Sequence, residues 1–394
     1  MAWDLVSLGE CCEIVSGSTP KRDEPDHWGG DIAWVTPKDI SSLRGAILSD
    51  TPEHITESGY RSCSTKLLPK GAILFSSRAP IGLVAIAGRE MCTNQGFKSL
   101  VPGDGVDSLF LYYCMKWIAP RVAALGTGAT FKEVNKQVVS EFMIPLPPLP
   151  EQKRIAAFLD KADSIRRRRQ DAITLADTFL RSVFLKMFGD PVTNPVGWDE
   201  ALLKDVASIG SGVTKGKTYK GSELVEVPYM RVANVQDGWI DISDIKTISV
   251  SHADVERYAM EKGDLLLTEG GDPDKLGRGA VWDGSISPCI HQNHIFKVRF
   301  DTSIILPEFA SFLIGSARGK RYFLRAAKQT TGIATINKTQ LSNFSMLVPD
   351  MKQQDTFVKA AKAVKSAKQK LDQVSEESNN LFFSLQQRAF RGDL

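Results

Sequence analysis

"PLPPLPEQKRIAAFLDKADSIRRRRQ" occupies residues 145–170, where a proline-rich run opens into a long charged segment in mid-chain. From Gln152 an alternating three–four spacing picks out Ile155, Leu159, Ala162, Arg166, Arg169, Ile173, Ala176, Leu180, Val183 and Met187. Periodicity sustained over four heptads predicts a coiled-coil seam rather than one face of a globular helix. Pro150 suits a helix first turn, and Gly189-Asp190-Pro191 makes a stop. The residues between Pro150 and Met187 would make a rod of ~57 Å. A second tail repeats the pattern at Phe357, Ala360, Val364, Ala367, Leu371, Val374, Ser378, Leu381 and Leu385. Two such rods in one chain zip together most simply antiparallel, because parallel pairing needs a connection that retraces the rod's length.

The rest of the chain is also written twice. "WDLVSLGECCEIVSGSTPK" near the start returns as "WDEALLKDVASIGSGVTKG", and setting Trp3 on Trp198 fixes an offset of 195. Leu8 then falls on Leu203, Ile14 on Ile209, and Ser16-Gly17 on Ser211-Gly212. With small shifts, "LPKGAIL" (68–74) meets "MEKGDLL" (260–266), and "CTNQ" (92–95) meets "CIHQ" (289–292). "TGATFKEVNKQVVSEF" (127–142) meets "TTGIATINKTQLSNF" (330–344), and "PLPEQ" meets "DMKQQ". An ordered series across the whole chain is the mark of duplication. Each copy has a head of short β-type runs, such as "GAILFSS" and "DLLLTEG", with a few helical stretches, followed by a helical tail. The expected fold class is therefore α+β: two homologous globular domains joined by two long antiparallel coiled-coil helices with internal pseudo-twofold symmetry. The expected boundaries are 1–145 for the first head, 146–190 for the central helix, 191–349 for the second head and 350–394 for the last helix.

Composition narrows the function classes. At 394 residues, 42% apolar and 24% charged, the chain is an ordinary two-domain globular protein. It has no long apolar run for a membrane span, and "MAWDLVSLGECC" is not a signal peptide. Six cysteines without CxxC spacing suit free thiols in a reducing cytoplasm. Neither head is basic: Lys+Arg against Asp+Glu is 14 to 16 over 1–145 and 18 to 18 over 191–349. If DNA is the ligand, local patches or a partner must supply the phosphate attraction.

"PPLPEQKRIAAFLD" before a long helix, a "SGSTPK"-like loop in each head, and "TTGIATINK" resemble the specificity subunit of type I restriction-modification systems over essentially the full chain. The second tail departs from the pattern at "PDMKQQD", which lacks the double proline. The resemblance implies that each head is a target recognition domain reading one half of a bipartite, asymmetric sequence in double-stranded DNA. It implies a helical spacer that docks two methyltransferase (modification) subunits, with a restriction/translocase subunit joining through the complex. Catalysis and S-adenosylmethionine would belong to those partners, and no cofactor would be bound directly. Two homologous heads on an antiparallel rod match this independently, as half-site readers with differing half-sites whose centres lie about one duplex turn apart.

Loops repeated in both heads are the candidate DNA contacts. Ser18, Thr19 and Lys21, and their counterparts around Thr214, Lys215 and Lys217, carry short polar and cationic groups for phosphates, or are solvated turns. Arg78 has the fork that reads guanine O6/N7. Asn94 and Gln95, with His291, Gln292, Asn293 and His294 in the second head, are candidate base contacts, the amides suiting adenine; His291 and His294 would alternatively ligate a metal, but no third ligand is evident. Arg318, Arg321, Arg325 and Lys328 recur on one helix face as a phosphate clamp or a solvated stripe, and the first head has only Lys116, Arg121 and Lys132 nearby. Asn135 and Asn337 organise the turn before the tail. Arg166–Arg169 wind around the helix, pairing local acids such as Asp163 and Asp171 or facing phosphates or a partner.

Rival readings are weaker. "SGVTKGKT" (211–218) nearly spells a phosphate-binding loop, but Ser211 stands where glycine is required, and Gly221 and Pro228 interrupt the helix that should follow. "NPV" (194–196) is not a methyltransferase motif, and no catalytic pair or metal cluster is evident. The main alternative is a coiled-coil interaction scaffold whose heads bind proteins; a free-standing repressor would instead bind its site alone.

Overall fold

A computed structural model describes residues 3–128, 132–219, 223–271, 276–330 and 333–393. It separates the chain into two compact units, residues 1–173 with 370–394, and residues 174–369. Each unit therefore holds one head together with one half of each long helix. Five helices carry the main packing: α1 (Ser108–Ala124), α2 (Leu149–Phe188), α3 (Pro307–Gly315), α4 (Ala317–Ala326) and α5 (Met351–Arg391).

In the first unit, strands Leu5–Ser7 and Met143–Pro145 pair antiparallel and close the head onto its own beginning. The main sheet runs Cys12–Ser16, Lys98–Pro102, Ile73–Phe75, Val84–Ala87 and Ile47–Leu48. A second sheet sets Trp28–Val35 between His54–Ile55 and Met91–Thr93, parallel to the latter. The second unit repeats each of these. Asp199–Leu202 pairs with Ser345–Val348. Its main sheet runs Ala207–Ser211, Ile295–Phe300, Leu265–Thr268 and Gly279–Val281. Leu224–Met230 lies between Lys246–Ser251 and Ile290–His291, again parallel to the latter. The two heads thus share one α+β topology, as duplication requires. They differ at the edges. Ile47–Leu48 extends the first sheet, and Gly270–Gly271, Ile333–Thr335 and Lys328–Thr330 form a small extra sheet in the second unit. At that place the first unit makes single bridges, Arg78 to Glu133 and Thr127 to Glu133.

The helices bury their stripes against the heads and each other. In the first unit, Phe110, Met115 and Ile118 of α1 share a core with Ile73, Leu100, Ile155 and Leu159, and with Phe382 and Phe390 of α5. In the second, Phe184 and Phe188 of α2 meet Phe309 of α3 and Phe357 of α5 at ring separations of 5.0–6.0 Å. Within each unit the pairing is antiparallel. In the first, Arg169 meets Ser378 while Arg166 lies 5.1 Å over the Phe382 ring, so numbering rises in one helix as it falls in the other. In the second, the last turns of α2 pack on the first turns of α5. On α2, Ile155, Leu159 and Ile173 are buried, as their spacing predicts, and the other seam positions are half-buried; near its end Phe184 and Phe188, each one residue past an expected position, are the buried ones. On α5 the expectation fails at alternate positions. Val374 and Leu381 are 39% and 59% exposed, whereas Ser375 and Phe382, one residue on, are buried. The stretch has few large apolar residues, so three–four and four–three spacings fit its sequence equally well, and Phe382 decides for the second.

Three side-chain latches recur in both units. The buried Gln152 accepts from Asp107 N (2.9 Å) and donates to Gly105 O and Pro147 O (2.9 and 2.8 Å). Gln354 accepts from Leu306 N (2.9 Å) and donates to Ile304 O and Pro349 O (2.9 and 2.8 Å). Asp107 and Leu306 are the N-cap residues of α1 and α3, so each glutamine ties the first turn of a long helix to the start of a head helix. Trp3 Nε1 donates to Ala389 O near the end of α5, and Trp198 Nε1 to Phe188 O at the end of α2 (3.0 and 3.1 Å), so each tryptophan caps a carbonyl in the last turn of a long helix. Asn135 and Asn337 accept from Val138 N and Gln340 N (both 2.9 Å) as N-caps, the turn-organising role expected of them.

Candidate nucleic-acid interface

Three loops meet at one place in each head. The first leaves the opening strand of the main sheet. Gly17 fits there because a Cβ would lie 2.0 Å from Asn94 O, and Ser18 N donates to Thr93 O (2.9 Å). In the second head a Cβ on Gly212 would lie 1.9 Å from His291 O, and Val213 N donates to His291 O (2.8 Å). Only glycine allows so close an approach. The second loop follows the parallel strand, where Asn94 N bonds Val35 O and Phe97 N bonds Asn94 O; Gln292 N bonds Met230 O and Ile295 N bonds Gln292 O in the same way. The third is the crossing segment at Ser77 and Glu269. Ser77 N donates to Gly96 O (2.7 Å) and Ser77 O accepts from Val134 N; Glu269 N donates to His294 O (3.0 Å) and Glu269 O accepts from Ile336 N. Backbone bonds alone thus build the same junction twice, leaving side chains at its rim free to differ.

These bonds correct the sequence alignment by one residue. Thr93 corresponds to His291, Asn94 to Gln292 and Gln95 to Asn293, not Cys92 to Cys289. A one-residue slip in a strand exchanges its inward and outward faces. His291 accordingly lies inside with 0% exposure, its Nδ1 at 3.0 Å from Ile295 O and its Nε2 without a partner among the described residues. Burial lowers its pKa to about 4. It is neutral, inaccessible and no base reader.

The other candidates divide. Thr19 Oγ1 donates to Gln95 Oε1, so the first two loops are joined through the residues expected to touch DNA. Lys21, Gln95, Thr214 and Lys215 are exposed, and Gln292 and Asn293 are half-buried at the rim. Asn94 spends its amide oxygen on Gly96 N (2.9 Å). Ser18 O receives Trp34 Nε1 (3.1 Å) and Lys21 O receives Trp28 Nε1 (3.0 Å), which holds the loop in shape. Arg22, which the sequence did not single out, lies 4.2 and 4.7 Å over the rings of Trp28 and Trp34 and is paired with Glu53. Arg78 Nε meets Glu133 at 2.9 Å, and Lys98 meets the same carboxylate at 3.6 Å. Lys217 is paired with Asp254 at 2.6 Å, with Tyr219 donating to the same oxygen.

The helical stripe is only partly as expected. Arg318 turns inward, donating to Ser345 O and Pro191 O (both 2.9 Å) and pairing with Glu200, so it closes the base of the second head and is no phosphate clamp. Gly319, Tyr322 and Phe323 form the inner face of α4, which draws the adjacent Arg318 with them. Arg321 and Arg325 remain exposed on α4 with Lys320, whereas Lys328, expected on the same helix face, lies past the helix end in the strand Lys328–Thr330; none of these has an ion pair among the described residues. In the first head burial lowers the pKa of Lys116, and Arg121 stacks 4.1 Å over Trp117, so no matching stripe forms. Of the four consecutive arginines, Arg166 and Arg167 pair with the buried Asp163 (2.7 and 3.2 Å) and Arg169 donates to Ser378, while Arg168 is exposed. Asp171 pairs instead with Arg44 at 3.5 Å.

Among the described residues no group of three or more His, Cys, Asp or Glu could hold a metal ion, and no helix is long and apolar enough to cross a membrane. The family described as "Type I restriction modification DNA specificity domain" matches residues 2–175 and again 195–376. The chain is 33% identical to the type I restriction enzyme MjaIX specificity subunit of Methanocaldococcus jannaschii over 60% of its own length and 59% of that protein's. It is 23% identical to the StySPI specificity subunit of Salmonella potsdam over 70% of its length and 62% of that protein's. The alignments therefore span about three-fifths of these two relatives. With the EcoBI specificity subunit of Escherichia coli it shares 22% identity over all of this chain and 86% of the relative. The fold matches the crystal structure of a type I restriction-modification S subunit from M. genitalium at a TM-score of 0.59, with 15% identity over 98% of this chain and 96% of that one. The family's domain occurring twice, on two heads of one topology, places this chain in the type I restriction-modification DNA specificity family.

Proposed function

We propose that the chain is the DNA-reading subunit of a type I restriction-modification complex, a cytoplasmic assembly, with each head reading one half of a bipartite asymmetric site. The duplicated three-loop junction is the observation that carries this reading. One backbone frame appears twice with different side chains at its rim, which is what two half-sites of different sequence require. Contacts fall to Ser18, Thr19, Lys21, Arg78 and Gln95 in the first head, and to Thr214, Lys215, Gln292, Asn293, Arg321, Arg325 and Lys328 in the second.

The chain itself serves as a non-catalytic part. Two methyltransferase subunits bring S-adenosylmethionine and the chemistry, and a restriction/translocase subunit joins through them. Phe158, Ile165, Val374, Leu381 and Phe383 lie on the long helices of the first unit at 39–59% exposure, outside the seam, and are apolar groups suited to docking such partners.

Mapping methylated adenines after expressing the methyltransferase subunits with and without this chain tests the proposal. A bipartite motif is expected only with the chain present, together with DNA affinity that falls steeply with salt. Methylation of the same sites without it, or affinity indifferent to salt, would return the chain to the class of protein-binding scaffolds.

A further inference from the structure

An acid and an imidazole stand beside the junction of the second head where the first has a serine and a glycine, and from this we propose that Glu269 reads cytosine in the second half-site. This rests on the DNA-reading function above. The backbone bonds equate Ser77 with Glu269 and Gly96 with His294. A buried serine and a glycine in one head are thus an acid and an imidazole at the surface of the other, their side chains 33% and 57% exposed. His294 Nδ1 lies 2.6 Å from Glu269 Oε2 and positions the carboxylate, while Oε1 has no partner among the described residues.

A carboxylate facing a phosphate-lined groove is repelled unless it meets a base donor. Cytosine N4 is the donor that suits it. Adenine N6 is flanked by N7 and by thymine O4, both acceptors that repel a carboxylate, whereas cytosine N4 has C5–H on one side. The first head lacks this acid, and the neighbouring Arg78 is its charged group instead. Glu133 is committed to Arg78 and Lys98, so the junction presents the terminal nitrogens of Arg78, which are donors. One frame offers a donor in one half and an acceptor in the other, which yields an asymmetric site.

The test uses the full chain with its methyltransferase subunits. Glu269→Gln is expected to relax the requirement for one G·C pair about tenfold, in one half-site only, because the amide adds a donor where cytosine needs an acceptor. His294→Asn is expected to weaken the same preference without replacing it. An unchanged motif in both variants, or relaxation at an A·T pair, overturns the proposal. If Glu269→Gln abolishes methylation, competition among duplexes varied at that pair decides, since a retained wild-type preference also overturns it. A wild-type complex that methylates no bipartite site would fail the underlying reading instead.

Discussion

Replacing Gln152 with alanine tests the latch between a head and its helix. The side chain is 1% exposed and makes three hydrogen bonds of 2.8–2.9 Å to backbone groups of Gly105, Asp107 and Pro147. Each such bond contributes about 1 kcal/mol net, and stranding its buried partner costs somewhat more, so Gln152→Ala should lose roughly 3–4 kcal/mol. That is a large fraction of the ~5–15 kcal/mol typical of a domain. Gln152→Glu separates hydrogen bonding from packing. The carboxylate can still accept from Asp107 N but sets a buried anion against two carbonyls, so near neutral pH it should cost more than alanine. Its folded pKa would be raised, so the loss should shrink as pH falls through that value, where the proton restores a donor. Hydrogen exchange reads the effect locally. The Asp107 amide and first turn of α1 should lose protection in the Gln152 variants, while Leu306, held by Gln354, keeps its own. A cost below about 1 kcal/mol, or equal loss of protection at Asp107 and Leu306, would refute the latch.

Residues that the structure reassigns supply two further predictions. Arg318→Ala should destabilise the second unit and leave the salt dependence of DNA binding by the assembled complex unchanged, whereas Arg321→Ala and Arg325→Ala should each lower the slope of log K against log salt by about one and leave melting unchanged. His291, held neutral by burial with its pKa at about 4, against an ordinary 6.5, favours the unfolded chain once that chain takes up its proton. Stability of the second unit should be full above pH 6.5 and fall by roughly 3 kcal/mol towards pH 4, and His291→Gln should flatten that limb in denaturant titrations.

The duplication, the α+β heads and the α2 seam were legible because each rests on a signal carried by many residues at once: an ordered series of matches, or a period. Asn135 and Asn337 were legible for a local reason, since an asparagine before a short helix caps it. Failures came where one residue decided. "CTNQ" against "CIHQ" offers a cysteine match that beats the true register, and only the backbone bonds at Gly17 and Gly212 reveal the slip. Arg318 fits an exposed stripe by helical arithmetic, yet Glu200, over a hundred residues away, captures it. The glutamine latches could have been suspected, because "PLPEQ" and "DMKQQ" share only that glutamine in a strongly altered context. Glu269 left no such trace, since its counterpart is the buried Ser77.

Several cations of the heads are spent on acids within the fold. Arg22, Arg78, Lys217, Arg299 and Arg318 are each committed to an acid, and Arg299 holds the buried Asp264 at 2.7 Å. The frame of each head is meanwhile fixed by backbone bonds and by a few tryptophan, glutamine and asparagine side chains. Rim residues therefore carry little of the folding free energy, and they can change identity without loosening the loops that present them. Such a head tolerates new sequence preferences at small cost in stability. Exposed cations outside these pairs, among them Lys21 and Lys215 at the loops and Arg321 and Arg325 on the outer face of α4, remain to attract phosphates. With each head near neutral overall, the proposed reading leaves part of the phosphate grip to partner subunits, and weak attraction by this chain alone is the counterpart of an exchangeable reading surface.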